Sequence, residues 1–293
     1  MNEHLAPAPA AIRTAAILSH THPEQTHQAV EAAARAAAQA GCELYAAADE
    51  LKKHADGPDA IRPLDELDGE PDICLVFGGD GTILKALRAY ANSPVPVFGF
   101  NYGTIGFLAA LEREEVESGL GRAFAGEFEV MRMPALAAGV DTENPIALND
   151  VSLIRRPHGR VAELSYRLGG KEVGHVRCDG LVAATPAGST GYNLANSGPI
   201  LAWGVEGYVV SFIAPHTLTA RPLVVAPNDV LSVTNAPDRD PVDVVLDGEL
   251  VGELASGAEM EVQFRDDAAG LAQLPGSNFY RRISQKFGHL AGA

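Results

Sequence analysis

Asp72-Ile73-Cys74-Leu75-Val76-Phe77-Gly78-Gly79-Asp80-Gly81-Thr82 decides how this chain is read. Ile73 to Phe77 is an unbroken apolar run of strand length, as suits the centre of a parallel sheet covered on both faces. The run enters a glycine turn. Gly78, Gly79 and Gly81 give the backbone freedom there and let N–H groups approach an anion such as a phosphate. Thr82 is placed to cap a helix through Tyr90, because Ile83, Leu84, Leu87 and Tyr90 fall at helical spacing. The turn has neither the Gly-Lys-Ser/Thr ending of a P-loop nor the G-x-G-x-x-G dinucleotide spacing. It carries an acid instead. A bare anion hole avoids such a charge, so Asp80 makes sense as acceptor of a hydroxyl proton or as a partner for a metal. The competing reading is a tight turn in which Asp80 bonds its own backbone.

Outward from this stretch, strands and helices alternate. Ile12–Leu18 reads as a strand, and Thr21-His22-Pro23-Glu24 matches a capping box. Gln28–Ala40 reads as a helix ended by Gly41, and Glu43–Ala47 as a second strand. Residues 1–10 read as a floppy Ala/Pro lead, and residues 56–72 as a polar connection. Pro94–Phe100 is another short strand, followed by the glycine-punctuated loop Asn101–Leu108 and a helix over Arg113–Phe124. This alternation predicts an α/β layer with a parallel sheet over residues 1–125. Ligands in such sheets sit beyond the carboxyl ends of the strands, so both glycine loops should share one crevice. Residues 126–275 change texture. Short β-type runs (147–155, 162–168, 171–176, 181–184, 208–213, 223–225, 230–233, 242–246 and 260–264) are punctuated by Gly, Pro, Asn and Asp, which predicts an all-β domain, sandwich-like or barrel-like. Within 276–293, Phe279, Ile283 and Phe287 share one helical face, and this terminal helix is expected to return to the first domain.

Composition narrows the function classes. Lys plus Arg number 22 against 38 Asp plus Glu, a net charge of −16 over 293 residues. That argues against nucleic-acid binding, which needs a basic footprint, and leaves any anionic substrate to local cations, N–H groups or a metal. No apolar run approaches the ~20 residues of a membrane span. The amino terminus lacks the pattern of a secretory signal, and Cys42, Cys74 and Cys178 are far apart, as buried reduced thiols in the cytoplasm would be.

A second constellation lies at 177–200. Leu181–Ala184 is a strand leading into the small-residue loop Thr185–Gly191, where Ser189 or Thr190 can start a short helix whose N–H groups face a polar ligand. Arg177 and Asp179 project on one side of a strand. They read either as an orienting pair for a ribose or amide, or as a surface ion pair beside a helix cap. Tyr192 could stack on a ring or fill core. His216 is expected to be a hydrogen-bonded structural histidine.

Taken together the motifs resemble the bacterial NAD kinases. GGDGT at 78–82, Asn-x-Gly-x-x-Gly-Phe-Leu at 101–108 and Leu-Asn-Asp at 148–150 stand in the family's order. So do Asp-Gly-Leu…Thr-Pro-x-Gly-Ser-Thr-x-Tyr at 179–192, Pro-His-Thr-Leu-x-x-Arg-Pro at 215–222 and Leu-Asp-Gly-Glu at 246–249. The resemblance covers about residues 70–250. It implies transfer of phosphate from ATP, or polyphosphate, to the 2′-hydroxyl of the adenosine ribose of NAD, giving NADP. It also implies a Rossmann-like amino-terminal domain, a β-sandwich carboxy-terminal domain and a homodimer or homotetramer, with NAD between the domains.

By position in those motifs, Asp80 matches the proton-accepting aspartate and Gly81 sits beside it at the ligand. Gly78, Gly79 and Thr82 complete the phosphate-donor loop. Phe107 matches a residue lining the adenine pocket. Asn149 and Asp150 match the Asn-Glu pair that binds NAD, with Asp150 one methylene shorter than the usual Glu. Arg177 and Asp179 match ligand contacts, as does Arg160. Thr190, Gly191, Tyr192, Asn193, Leu194 and Ala195 match the loop that holds nicotinamide and ribose. Ala187, Gly191 and Ala195 replace the usual Thr or Ser, Ala, and Ser. Asp247 keeps its place, and Glu249 replaces a frequent Gln. Mg²⁺ or another divalent metal is expected to arrive with the phosphate donor and bridge its oxygens. Three other classes share part of this pattern. A lipid kinase would carry GGDGT beside an exposed apolar entrance. A sugar-phosphate kinase would be longer and more basic. A non-catalytic NAD(P) sensor would not need Asp80.

Overall fold

The computed structural model describes residues 5–9, 11–54, 57–58, 60–103, 106–141 and 145–288. Residues 1–4 and 10 of the lead, 56 and 59 of the connection, 104 and 105 of the second glycine loop, and 289–293 lie outside the described residues. The chain divides into two compact units, residues 1–132 with 269–293 and residues 133–268.

In the first unit a parallel sheet runs in the order Ile61–Pro63, Glu43–Ala46, Thr14–Ser19, Ile73–Gly78, Pro96–Asn101, then the end of the long strand Glu259–Gln273. Every residue of Ile73–Gly78 and Pro96–Asn101 is buried, which is why their sequences are apolar runs without alternation. Phe77 stacks on Phe100 with centroids 5.1 Å apart. Helices His27–Ala40 and Val116–Phe124 bury their apolar stripes against these strands in a shared core. Gly41 closes the first helix at φ 69°, in the left-handed region that suits glycine. The strand order reverses between Thr14–Ser19 and Ile73–Gly78. That is the switch point at which doubly wound sheets open a crevice.

In the second unit, one antiparallel sheet runs Leu223–Val225, Tyr208–Ile213, Gly180–Ala184, Asp150–Arg155, Val242–Leu246, Glu249–Leu254. A second pairs Lys171–Cys178, Ala162–Leu168, Leu231–Asn235 and the start of Glu259–Gln273. Leu153, Leu181 and Val244 of the first sheet and Leu164, Val233 and Val262 of the second enter one core, so the β-rich unit is a sandwich.

The structure departs from the sequence reading at several points. Thr21–Glu24 forms no capping box. Pro23 instead opens a single 3₁₀ turn, Pro23–Gln25, and the helix starts four residues later at His27. A capping box does form between Glu112 and Glu115, ahead of Val116–Phe124. Thr82 does not cap its helix. Gly79 is the N-cap, Asp80 opens the helix Asp80–Ala89, and Thr82 lies over Gly78, where a Cβ would come within 2.5 Å of it. The helix Ala48–Lys53 and the edge strands Ile61–Pro63 and Glu249–Leu254 were not anticipated. The run 147–155 is broken at Leu148–Asn149, between Ile146–Ala147 and Asp150–Arg155. The lead is not loose throughout, since Leu5–Pro7 pairs with Glu129–Met131.

Candidate active site

The first unit brings the two glycine loops into contact. Gly78 pairs with Asn101 across the sheet, and the Tyr102 N–H donates to the Gly78 carbonyl at 3.0 Å. Beyond them, a Cβ on Gly103 would lie 3.3 Å from the Gly79 Cα, so bare backbone faces bare backbone. Asp80 stands at the first turn of its helix, where the dipole favours a negative charge. Its carboxylate does not bond its own turn. Oδ2 accepts the Phe107 N–H at 2.8 Å and Oδ1 the Leu108 N–H at 3.0 Å, both from the second loop. Gly106 has no room for a side chain because a Cβ would sit 2.4 Å from Oδ1. Gly81 is the opposite case: it is exposed, and a Cβ there would meet nothing within 4 Å.

Two side chains outside the sequence motifs secure the second loop. Arg282, on the terminal helix Phe279–Phe287, donates through Nη1 to the Phe107 and Ala109 carbonyls and through Nη2 to Gln273 and Ser277. Gln273 donates to the Leu108 carbonyl at 3.1 Å. Burial lowers the Arg282 pKa, opposed by the carboxylates of Asp80 and Glu112. Phe107 is nearly fully buried, with Phe279 and Phe287 against its ring and the Lys286 ammonium 4.4 Å from the ring centroid. No spacing rule flags Arg282 or Gln273. The one signal was the apolar face of the terminal helix, which promised packing on the first unit.

In the second unit Asn149, Asp150, Asp247 and the loop after Ala184 gather at one end of the six-stranded sheet, whereas Asp179 lies beside Arg155 at the other end of the paired strands Asp150–Arg155 and Gly180–Ala184. Asp247 and Gly248 form the two-residue hairpin joining Val242–Leu246 to Glu249–Leu254, at φ 49° and 85°. The Asp247 carboxylate accepts three backbone N–H groups, from Leu148 at 2.9 Å, Asn149 at 2.7 Å and Asp150 at 3.1 Å. These bonds replace ladder pairing and explain the break before Asp150. Asp150 is buried and accepts the Ser152 hydroxyl at 2.7 Å. Burial pushes its carboxyl up to about 6; the Ser152 hydroxyl works against the rise and the Asp247 charge adds to it. A Cβ on Gly188 would lie 2.0 Å from the Asn149 carbonyl, so the 185–191 loop closes directly on this segment. Thr185 bonds the Leu148 carbonyl at 2.6 Å.

Tyr192 is exposed rather than core, with its pKa raised by partial burial and by the charges of Asp150 and Asp179. Thr190 gives its hydroxyl to the Ala187 carbonyl, and Gly191, Leu194 and Ala195 line the outer turn. Asn193 is fully buried and donates to the Ser189 and Pro199 carbonyls, so it shapes the loop from inside. Asp179 pairs with Arg155 at 2.5 Å, a partner that the spacing of Arg177 and Asp179 did not suggest; Arg177 is exposed. Arg160 is held by Asp240 and the Asp238 carbonyl. Glu249 is exposed at the start of its strand. His216 bonds the Arg177 carbonyl through its backbone N–H, not its ring. The three cysteines are free and buried, and their thiols are pushed up to about 12 by burial.

Residues 16–128 match the family model of the ATP-NAD kinase N-terminal domain, and residues 148–273 that of the C-terminal domain. The chain belongs to the ATP-NAD kinase family. Among relatives, the NAD kinase of Rhodopirellula baltica is 34% identical over 226 residues, covering 75% of this chain and 73% of its own. The NAD kinase of Symbiobacterium thermophilum is 35% identical over 234 residues, covering 78% and 83%. The fold is shared with yeast NADH kinase complexed with NADH, at a TM-score of 0.84 and 21% identity over 97% of this chain and 89% of that one. An NAD kinase from Archaeoglobus fulgidus in complex with ATP shares it at a TM-score of 0.68 and 24% identity, over 94% and 97%.

Proposed function

We propose that the protein transfers a phosphoryl group from ATP or polyphosphate to the 2′-hydroxyl of the adenosine ribose of NAD, with Asp80 orienting that hydroxyl and taking its proton. The protein is a kinase that phosphorylates NAD to NADP, as its family membership and its relatives support. The observation behind the role of Asp80 is its setting. Each carboxylate oxygen accepts one loop N–H, which leaves lone pairs on both for a hydroxyl. Phosphoryl transfer depends on positioning and charge neutralisation more than on a strong base, and an oriented carboxylate suffices to take the proton late. The backbone of half-buried Gly79 and exposed Gly81, at the start of a ten-residue helix, suits the donor's phosphates, with buried Gly78 behind it against Thr82.

Phe107 is assigned to the adenine side. Asn149 and Asp150 are assigned to a ribose of NAD, and Thr190–Ala195 to nicotinamide and its ribose. Arg160, Arg177, Asp179, Asp247 and Glu249 are assigned to the dinucleotide or its surroundings. Among the described residues no group of three or more His, Cys, Asp or Glu could hold a metal. We therefore assign Mg²⁺, or another divalent ion, to the donor's phosphates, where it would keep its waters and offset the acidic chain. No helix among the described residues is long and apolar enough to cross a membrane. We assign the protein to the cytoplasm as a homodimer or homotetramer, which sedimentation of the purified chain tests. The activity is tested with NAD, Mg²⁺ and either ATP or polyphosphate, with NADP read through a coupled dehydrogenase. NADP formation by the wild type and its loss in Asp80→Asn are expected; an undiminished rate in that variant defeats the role given to Asp80.

A further inference from the structure

We propose that Arg282 is a positioning residue for Asp80, acting through the single peptide unit that joins Phe107 to Leu108. The carbonyl of that unit accepts Arg282 Nη1, and its N–H donates to Asp80 Oδ1 at 3.0 Å. One planar group thus links guanidinium and carboxylate. The next carbonyl, Leu108, is taken by Gln273 Nε2, and the one after it, Ala109, by Arg282 again at 2.6 Å. Three consecutive carbonyls are tied to the carboxy-terminal segment on one side. On the other, the N–H groups of Phe107 and Leu108 grip both oxygens of one carboxylate.

The arrangement exceeds what packing alone requires. Phe279 and Ile283 already bury the helix, and the Phe107 ring is already covered by Phe279, Phe287 and Lys286. An apolar residue at 282 could complete that packing. A guanidinium brought into this half-buried site has a desolvation cost, which its hydrogen bonds to Phe107, Ala109, Gln273 and Ser277 offset. A cation on the carbonyl end of a peptide polarises its N–H end. The loop then presents stronger donors to Asp80 and fixes where the carboxylate points. Lysine cannot reproduce this, because it lacks the planar fork that reaches two carbonyls, Gln273 and Ser277 together.

The inference rests on Asp80 being the proton acceptor, and its test separates the two. Wild type and Asp80→Asn are assayed first with NAD, ATP and Mg²⁺; a wild type that makes no NADP, or an Asp80→Asn as fast as wild type, refutes the underlying reading before Arg282 is touched. Arg282→Lys is then expected to lower kcat by about tenfold to a hundredfold while the KM for NAD stays within about twofold. Gln273→Leu should give a smaller loss of the same kind. In an Asp80→Asn background Arg282→Lys should cause no further loss, because the acid it positions is gone. The same fold-loss in both backgrounds would mean a smaller folded fraction and would overturn the proposal, as would an unchanged kcat in folded Arg282→Lys. Folding is checked by thermal unfolding followed by circular dichroism. Should Arg282→Lys not fold, Gln273→Leu carries the same cycle with the same two outcomes.

Discussion

The two units each hold an aspartate against the backbone of a neighbouring loop, and they use it differently. In the first unit Asp80 receives two N–H groups and remains at the tip of the central strand beside the open Gly81. In the second, Asp247 receives three N–H groups and is consumed by scaffolding, while the acid it positions, Asp150, lies buried with one serine hydroxyl for company. One loop therefore holds its acid by two N–H groups beside an open glycine, as the proposed proton acceptor requires. The other anchors one acid against the backbone on which a second, Asp150, is set. The cost appears in Asp150, whose carboxyl is pushed up to about 6, chiefly by burial.

Substitutions can break this contrast in order of effect. Asp80→Asn should lower kcat about 10²- to 10⁴-fold, the span of a lost general base, while NAD binding measured by calorimetry stays close to wild type. Next comes Asp247→Ala. It strands three N–H groups and should destabilise the second unit by about 3 kcal/mol in urea unfolding, with NAD binding weakened as Asn149 and Asp150 lose their anchor.

Asp150→Asn sharpens the comparison through pH. The folded chain keeps the Asp150 proton up to about pH 6, whereas a free carboxyl releases it near 3.8. The stability this group contributes is full below about pH 4 and is lost as pH rises through about 6. Between those values the asparagine variant should gain about 3 kcal/mol on wild type, read from urea midpoints at acid and neutral pH. In the wild type, kcat/KM for NAD should fall as pH drops below about 6, because the ionised form is the one assigned to ribose hydroxyls.

The smallest effect separates two glycines. Gly188→Ala drives a methyl into the Asn149 carbonyl and should cost about 1–3 kcal/mol of stability. Gly81→Ala meets open space and should leave unfolding within about 0.5 kcal/mol of wild type, yet raise the KM of a substrate that fills that space. A large stability loss in Gly81→Ala would show that the loop needs that glycine for itself.

Much of the fold was legible because local rules and burial agree. The apolar run at 73–77 could hardly be anything but a central parallel strand, and Gly41 ended its helix where its φ required. Local rules misled where two candidates competed. Thr82 had the right chemistry for a cap, but the helix begins at Asp80 because the acid reaches a different loop and Thr82 packs over Gly78 through its Cβ and Oγ1. The Asp247-Gly248 dipeptide is a strong hairpin signal that a reader could have used to place the strand Glu249–Leu254. No periodicity marks Gln273, Arg155 or Arg282, since each acts through a polar group on a partner distant in sequence.

By itself the sequence determined the order of strands and helices, the two glycine loops at strand ends, and the ordered motifs that carry the family. Those are consequences of side-chain period, backbone freedom and short-range spacing. Only the tertiary structure decided which groups surround Asp80, Asp150 and Asp247, because a carboxylate's setting is made by the N–H groups and the solvent around it. Here those N–H groups come from residues 27 and 28 positions away for Asp80 and from 97 to 99 positions away for Asp247.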